Sequence, residues 1–276
     1  MLHETNLFMR LVKIILAFLA AVLTATSAVA QLYHAGEVLR YRVAYRAKLI
    51  PNTEMATVVM KTTLDTLGGR AVYKVFGEGK IMPSYRWFFN IDDKYTIYVD
   101  TLSKRTLRFE SDIYEGGYTF RSHYTYDWQA MQARTWSQSR QNEPKEHEID
   151  LTEHSMDPVS LYFNLRSIDA AEFTDDSPRE LEMVLENKIR RLRYRFLGRE
   201  VCKVPKKGKF NTLKFACTLG SSEEFSFTDG SEFFIWITDD GNKFPVMLES
   251  PIRVGSVRAY ISGWEGLKYP LTAKIK

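Results

Sequence analysis

Apolar and polar residues alternate along most of the chain, which is the pattern of strands with one buried face. The first clear example is the segment EVLRYRVAYRAKLI, residues 37–50. Its apolar side contains Leu39, Tyr41, Val43, Tyr45, Ala47 and Leu49, and its basic side contains Arg40, Arg42, Arg46 and Lys48. This alternation predicts a half-buried strand with a solvated basic face.

Turn signals separate the following β-rich runs. Gly68-Gly69 supplies the positive φ that a tight hairpin requires. Further turns are predicted at Asp92-Asp93, Thr101 to Lys104 and Gly116-Gly117. Residues 138–148 lose the alternation and are predicted to form a loop. The pattern as a whole predicts a meander of short antiparallel strands.

A single helix is predicted at about 157–168, in the stretch HSMDPVSLYFNLRSID. Asp157 suits the N-cap and Pro158 the first helical position. Leu161, Leu165 and Ile168 recur at helical spacing and form an apolar stripe. This helix either caps the core of a curved sheet or acts as a movable lid over a ligand cavity. The predicted fold is therefore mainly β, a curved antiparallel sheet or open barrel-like roll closed by the helix, in one domain over residues 31–276.

The first 30 residues have the features of a signal peptide. Arg10 and Lys13 precede an apolar run, and Ala28-Val29-Ala30 provides a small-x-small cleavage site. The run is short for an uncleaved membrane anchor, which is the alternative. We therefore expect cleavage after Ala30, a periplasmic or otherwise exported protein, and no transmembrane segment afterwards.

Composition narrows the function further. The chain is 45% hydrophobic and 26% charged, and loss of the signal peptide would lower its formal charge from +4 to +3. So small a charge does not indicate a nucleic-acid partner.

The two cysteines, Cys202 and Cys217, invite a disulfide in an exported protein. If residues 205–209 form a turn, however, Cys202 pairs near Thr212 on the next strand. That register would hold the two sulfurs too far apart to bond. We therefore predict free thiols.

The catalytic motifs we considered are not in the sequence. His147 and His154 match no zinc spacing, and no nucleophile elbow is present. The doublets Asp92-Asp93 and Asp239-Asp240 are favoured as turn residues over paired catalytic acids. The sequence predicts no cofactor and no metal site, and it favours a protein that is not an enzyme.

Two features are candidates for ligand binding. Arg191, Arg193 and Arg195 line one side of a predicted strand, as Arg40 and Arg42 do of another. If these strands are neighbours, an anionic ligand or interleaved acidic residues must separate the like charges. The second feature is Trp87-Phe88-Phe89, which forms either core packing or an exposed aromatic platform. The candidate ligand-binding residues are Arg40, Arg42, Arg191, Arg193, Arg195 and Trp87.

Several segments resemble the exported bacterial family called domain of unknown function 3108. They are GEVLRYRVAY, YTIYVDTLSKRTLRFES, DPVSLYFNLR, FLGRE and FIWITDDGNKFPVMLES. The resemblance extends from about Gly36 to Trp264. It implies a mainly β domain of the Gram-negative cell envelope and carries over no active site.

The expected function is a non-enzymatic envelope protein that binds an amphiphile, such as a lipid, or an anionic envelope component in the concave sheet. Part of this expectation comes from analogy with periplasmic lipoprotein carriers. The alternative is a structural or protein-interaction module of the periplasm. An envelope hydrolase with a site assembled from distant residues is a third possibility.

The signal peptide yields the first testable prediction. We expect the mature protein to begin at Gln31 and to be recovered in the soluble periplasmic fraction. N-terminal sequencing of the protein expressed from its full-length gene measures this directly. A sequence beginning at Met1 or Met9 would contradict it.

Overall fold

The computed structural model describes residues 33–47, 50–87, 90–167, 177–185, 187–219, 232–251 and 256–276. The predicted signal peptide lies outside these ranges. So do Phe88, Phe89 and Ile168, and the side chains of Leu161 and Leu165 are not described.

Strands dominate the described residues, together with one α-helix and one 3-10 turn. The strands are β1 (Val38–Ala47), β2 (Ile50–Leu67), β3 (Arg70–Ile81), β4 (Asp92–Asp100), β5 (Thr106–Glu115), β6 (Tyr118–Asp127), β7 (Gln132–Ser139), β8 (Lys145–Asp150), β9 (Ser155–Met156), β10 (Arg179–Leu185), β11 (Lys188–Val204), β12 (Gly208–Leu219), β13 (Glu232–Thr238), β14 (Pro245–Pro251), β15 (Ser256–Glu265) and β16 (Lys274–Ile275). The helix, α1, spans Pro158–Leu165, and the 3-10 turn spans Pro83–Tyr85.

All these strands belong to one sheet. Its order is β8-β7-β6-β5-β4-β3-β2-β1-β15-β14-β13-β12-β11-β10-β9, and β16 adds to β12. Every pair is antiparallel except β9 with β10. The predicted mainly β, antiparallel fold is confirmed. The path is open, because β8 and β9 end it without pairing with each other.

The sheet curls until its two ends touch. Thr135 on β7 donates a hydrogen bond from Oγ1 to Asn187 Oδ1, at 2.7 Å, in the turn between β10 and β11. Thr152 Oγ1 donates to Glu182 Oε2 on β10 at 2.6 Å. One hydrophobic cluster also contains both Ile149 of β8 and Val184 of β10. The face that carries this cluster is therefore the concave face.

Successive turns of the meander lie at opposite ends of the curled sheet. The β2–β3 hairpin is the predicted one, since Gly68 and Gly69 have φ of 55° and 79° and join Leu67 to its partner Arg70. Gly116-Gly117 forms the other predicted glycine turn, at the opposite end. We call the end with the β4–β5 turn, next to α1, the helix end, and the opposite end the far end.

Two predictions about local structure are wrong. Asp92 and Asp93 begin β4 and do not form a turn. Residues 138–148 do not form a continuous loop, because β7 extends to Ser139 and β8 occupies Lys145–Asp150. β8 is an edge strand with most residues exposed, so it has no buried face to impose an alternating pattern.

Helix α1 starts at the predicted N-cap and is anchored in the core. Asp157 Oδ1 accepts hydrogen bonds from the backbone amides of Val159 and Ser160 at 2.8 and 2.9 Å. Phe163 is 1% exposed and stacks on Tyr33 with a ring separation of 4.4 Å. The helix ends at Leu165, three residues before the predicted end. These contacts favour the core cap over the movable lid.

Arg166, directly after α1, makes a buried ion pair with Glu37. Its Nη1 and Nη2 donate to the two carboxylate oxygens of Glu37 at 2.6 and 2.8 Å, and both side chains are nearly inaccessible. Nη2 also donates to the Asn242 carbonyl at 2.9 Å. The Asn242 side chain in turn bonds the backbone of Tyr269, as acceptor from its N–H and donor to its carbonyl. This network joins the start of β1, the helix, the β13–β14 turn and the C-terminal segment.

Breaking this pair should destabilise the whole sheet. We expect Arg166→Met to lower the free energy of unfolding by about 3 to 5 kcal/mol, because it leaves the Glu37 carboxylate buried without its partner. In the double variant Glu37→Gln, Arg166→Met the loss should be well below the sum of the two single losses. Urea melts measure both quantities.

The matched control is the ion pair Arg40–Glu265. It also joins residues far apart in sequence, but its side chains are 41% and 63% exposed. Arg40→Met should cost less than about 1 kcal/mol. If Arg166→Met cost no more than Arg40→Met, the buried pair would have no special role.

The cysteines lie far apart in the β11–β12 hairpin. Cys202 pairs with Phe210, two residues from the predicted Thr212, and Cys217 pairs with Tyr194. The seven-residue offset along β12 corresponds to roughly 23 Å. Both thiols are free and buried, as predicted.

Thiol reactivity should therefore depend on unfolding. Burial raises the pKa of both thiols to about 12, and the thiolate is the reactive form. We expect slow alkylation of the native protein by iodoacetamide, and rapid alkylation of both cysteines in urea without reductant. Cys202→Ser should retain one such site. An intact mass two hydrogens below that of the reduced chain would overturn the assignment.

Candidate functional site

A continuous apolar row crosses the concave face over eight adjacent strands, from β11 through β15 and β1 to β3. Each member pairs in register with the next: Phe196, Phe215, Ile235, Leu248, Ala259, Val43, Ala56 and Ile81. The row lies on the concave face because Ala56 alternates along β2 with Thr62, which pairs with the buried core residue Val75. We call it the apolar row.

Much of the apolar row is accessible to solvent. Phe215, Ile235 and Ile81 are buried, whereas the other members are only partly buried, namely Phe196, Leu248, Ala259, Val43 and Ala56. Apolar side chains that face a concavity and are partly exposed to solvent are typical of a binding groove.

Towards the helix end the concave face is filled. The layer paired with Thr62 continues through side chains that are all 3% exposed or less: Val75, Ile97, Phe109, Tyr124 and Thr135. Phe163 of α1 packs into the same cluster. A ligand would therefore reach the apolar row from the far end, or through the seam where the two ends of the sheet touch.

Between this filled layer and the far end, β5 to β7 carry small polar side chains. Ser111, Ser122 and Ser137 pair in register and are each buried. The Ser111 and Ser122 hydroxyls are 2.8 Å apart, and Asn187 Nδ2 donates to Ser137 Oγ at 3.5 Å. These serines therefore form a buried polar row on the concave face.

An acidic group lies on the concave face near the far end. Asp93 pairs with Gly79, and Gly79 pairs with Val58 next to the apolar row. Burial raises the pKa of Asp93 to about 6, and the neighbouring Glu115 carboxylate adds to the rise, against the hydrogen bond from the Tyr114 amide. This carboxyl therefore gains its charge as the pH rises through about 6.

A separate pocket of about 340 Å³ lies beside α1 at the helix end. Its wall includes Trp128, whose ring lies 4.7 Å below the Arg105 guanidinium, and Arg105 pairs with Glu153. Lys104 lies 4.9 Å from the Tyr73 ring centroid, and burial lowers its pKa. The cations of this pocket are engaged with partners of the protein itself.

The floor of that pocket is a buried hydrogen-bond network. Thr106 Oγ1 donates to Asp157 Oδ2 and is 3.0 Å from Ser160 Oγ, which is 3.1 Å from the Tyr33 hydroxyl. Burial raises the pKa of Asp157, whereas the hydrogen bonds from Ser160, Thr106 and the helix amides favour its charged form. The network holds the first turn of α1 against β5.

The predicted arginines do not converge. β1 and β11 are separated by four strands, so Arg40 and Arg42 do not neighbour Arg191, Arg193 and Arg195. Each instead faces a carboxylate: Glu265 for Arg40, Glu54 for Arg42, Glu180 and Glu182 for Arg191, Glu180 for Arg193, and Glu232 for Arg195. The structure shows the interleaved acids that were the alternative to an anionic ligand.

Trp87 lies in the segment between β3 and β4, outside the two strands that carry those arginines. Its side chain is 83% exposed, and its indole N–H donates to the Ser84 carbonyl at 2.9 Å. The Arg42 side chain reaches the same segment, with Nη1 3.9 Å from the sulfur of Met82. Trp87 therefore does not pack into the core.

No metal-ligand cluster of three or more His, Cys, Asp or Glu residues occurs in the described ranges. Asp239 pairs with Arg199, and Asp240 Oδ1 accepts hydrogen bonds from the amides of Asn242 and Lys243. The predicted turn at Asp239-Asp240 is present. Within the same ranges no helix is long and apolar enough to cross a membrane.

Sequence patterns missed the apolar row and the Glu37–Arg166 pair. Each strand's apolar side was visible, but the row depends on register across eight strands. Glu37 and Arg166 are 129 residues apart. The sequence feature that could have indicated the pair is a charged residue directly beside an apolar stripe, Glu37 before that of β1 and Arg166 after that of α1.

Comparison with solved structures supports the barrel-like fold. A β-barrel-like protein of domain of unknown function DUF1849 from Brucella abortus is 12% identical over 84% of this chain and 98% of its own, with a TM-score of 0.53. A LolA superfamily protein from Nitrosomonas europaea is 8% identical over 92% of this chain and 96% of its own, with a TM-score of only 0.21. A DUF1329 family protein from Desulfovibrio piger is 10% identical over 90% of this chain and 93% of its own, with a TM-score of 0.24. The last two are too dissimilar to inform the fold.

No curated protein matches the chain significantly. The family model described as Protein of unknown function (DUF3108) matches residues 40–262, which include every residue of the apolar row. The match covers most of the sequence and agrees with the resemblance of the individual segments. The chain belongs to this family.

Proposed function

We propose that this is an exported envelope protein that binds the apolar tail of an amphiphile along the apolar row. The observation that carries the proposal is the row itself, eight apolar residues in register with five of them partly exposed on the concave face. The signal-peptide pattern at residues 1–30 supports an exported, periplasmic location.

The physical basis is the hydrophobic effect. Each methylene of a ligand buried on the row contributes about 0.8 kcal/mol. Burial of the row members that are partly exposed in the free protein would add to the binding free energy when a ligand covers them. A straight acyl chain lying across the row would contact successive strands, whose separation is about 4.8 Å.

The polar part of the ligand would lie towards the far end. The filled layer under α1 excludes it from the helix end, and Asp93 provides a partly exposed polar group on the concave face. The five predicted arginines are not part of this site, because an anion there would have to displace the carboxylates that pair with them.

Filling the row should weaken ligand binding. Ala259 is partly exposed between Leu248 and Val43, so Ala259→Trp would occupy the space that we assign to the ligand tail. We expect native mass spectrometry of the wild-type protein to show a co-purified lipid. We expect the variant to lack it and to bind a dansyl-labelled fatty acid at least about tenfold more weakly, from the loss of two or more buried methylenes.

Ala130→Trp is the matched control, because Ala130 is exposed in the β6–β7 turn outside the concave face. Ala56→Phe tests the row at a second position if Ala259→Trp does not fold. A wild-type protein with no co-purified lipid and no dansyl-acid binding would refute the proposal and favour a protein-interaction module.

A further inference from the structure

The segment between β3 and β4 holds an exposed indole in a fixed position. Pro83 opens the 3-10 turn, and the Arg86 amide donates to the Pro83 carbonyl at 3.3 Å. The Trp87 indole N–H is bonded to the Ser84 carbonyl, and the side chain is 83% exposed. Exposing so large an aromatic group to water is unfavourable unless something covers it.

This segment continues directly from the apolar row. Ile81, the last member of the row, precedes Met82, whose amide donates to the Met55 carbonyl at 2.7 Å. Met55 in turn precedes Ala56, another row member. Trp87 therefore lies at the far end, beside the edge of the proposed ligand site.

Positive charge accompanies the indole. Arg86 is exposed and has no ion-pair partner in the described ranges. The Arg42 side chain also contacts this segment, because its Nη1 lies 3.9 Å from the Met82 sulfur. An exposed tryptophan next to an exposed arginine suits a lipid–water interface, where the ring enters the headgroup region and the cation meets anionic lipid.

We propose that Trp87 and Arg86 dock the far end of the protein on an anionic lipid surface. This rests on the proposed function, since docking there would bring the edge of the apolar row to the membrane that supplies or receives the amphiphile. A protein partner is a poorer match, because the exposed feature in the described part of this segment is one aromatic ring and one cation, which is far smaller than the surface a stable protein complex buries.

The test is co-flotation of the mature protein with vesicles of phosphatidylcholine, alone or mixed with phosphatidylglycerol. We expect binding to the mixed vesicles that weakens with added salt. Trp87→Ala should weaken it about tenfold, and Arg86→Gln about fivefold. Leu102→Ala is the matched control, because Leu102 is 90% exposed at the helix end and should float like the wild type.

Dansyl-acid binding in vesicle-free solution separates the two proposals. If Trp87→Ala loses flotation but keeps solution binding, the docking role stands. If it loses both, Trp87 belongs to the ligand site and the docking proposal is wrong. Wild-type protein that does not float with anionic vesicles, or variants that float like the wild type, would overturn docking while leaving ligand binding intact. Self-association through this face would appear as a dimer that Trp87→Ala dissolves, and would also refute docking.

Discussion

The buried ion pair between Arg166 and Glu37 fixes where the helix can sit on the sheet. Removing two charges from water is costly, and this cost is offset only when the geometry is good and the remaining donors are satisfied. Here the guanidinium binds both carboxylate oxygens and also donates to the Asn242 carbonyl. Any displacement of α1 would leave a buried charge unpaired. The pair therefore favours one placement of the helix over sliding alternatives, which apolar contacts alone would tolerate more readily.

This placement gives the two ends of the sheet different roles. With α1 fixed by Arg166 at its end and Asp157 at its start, Phe163 completes the buried layer of β3 to β7. In the described ranges no second helix covers the apolar side chains beyond that layer, and the apolar row stays partly exposed. The partly exposed concave surface thus follows from the placement of a short helix on a wide sheet.

Sequence patterns predicted most of the local structure and little of its assembly. Alternation gave the strands because burial of one face imposes a period of two, and Gly68-Gly69 gave its hairpin because the turn requires positive φ. Edge strand β8 was missed because it has almost no buried side. Register across eight strands, and the pairing of Glu37 with Arg166, depend on how the sheet curls, which no local pattern encodes. The resembling segments GEVLRYRVAY, DPVSLYFNLR and FIWITDDGNKFPVMLES nevertheless contain Glu37, Arg166 and Asn242, the three residues of the buried network.

The seam between the two sheet ends bears on how a ligand would be accommodated. A closed barrel joins all its strands by backbone ladders, so widening it breaks many hydrogen bonds together. Here the described polar contacts across the seam are side-chain hydrogen bonds, from Thr135 to Asn187, from Asn187 to Ser137 and from Thr152 to Glu182. Ile149 of β8 and Val184 of β10 add an apolar contact in the shared cluster. Each hydrogen bond contributes about 1 kcal/mol or somewhat more where a carboxylate accepts. Opening the seam would therefore break individual side-chain contacts and not a backbone ladder. On the proposed function, widening at the seam would let the sheet hold apolar ligands of different width, while the Glu37–Arg166 pair keeps α1 in place at the helix end.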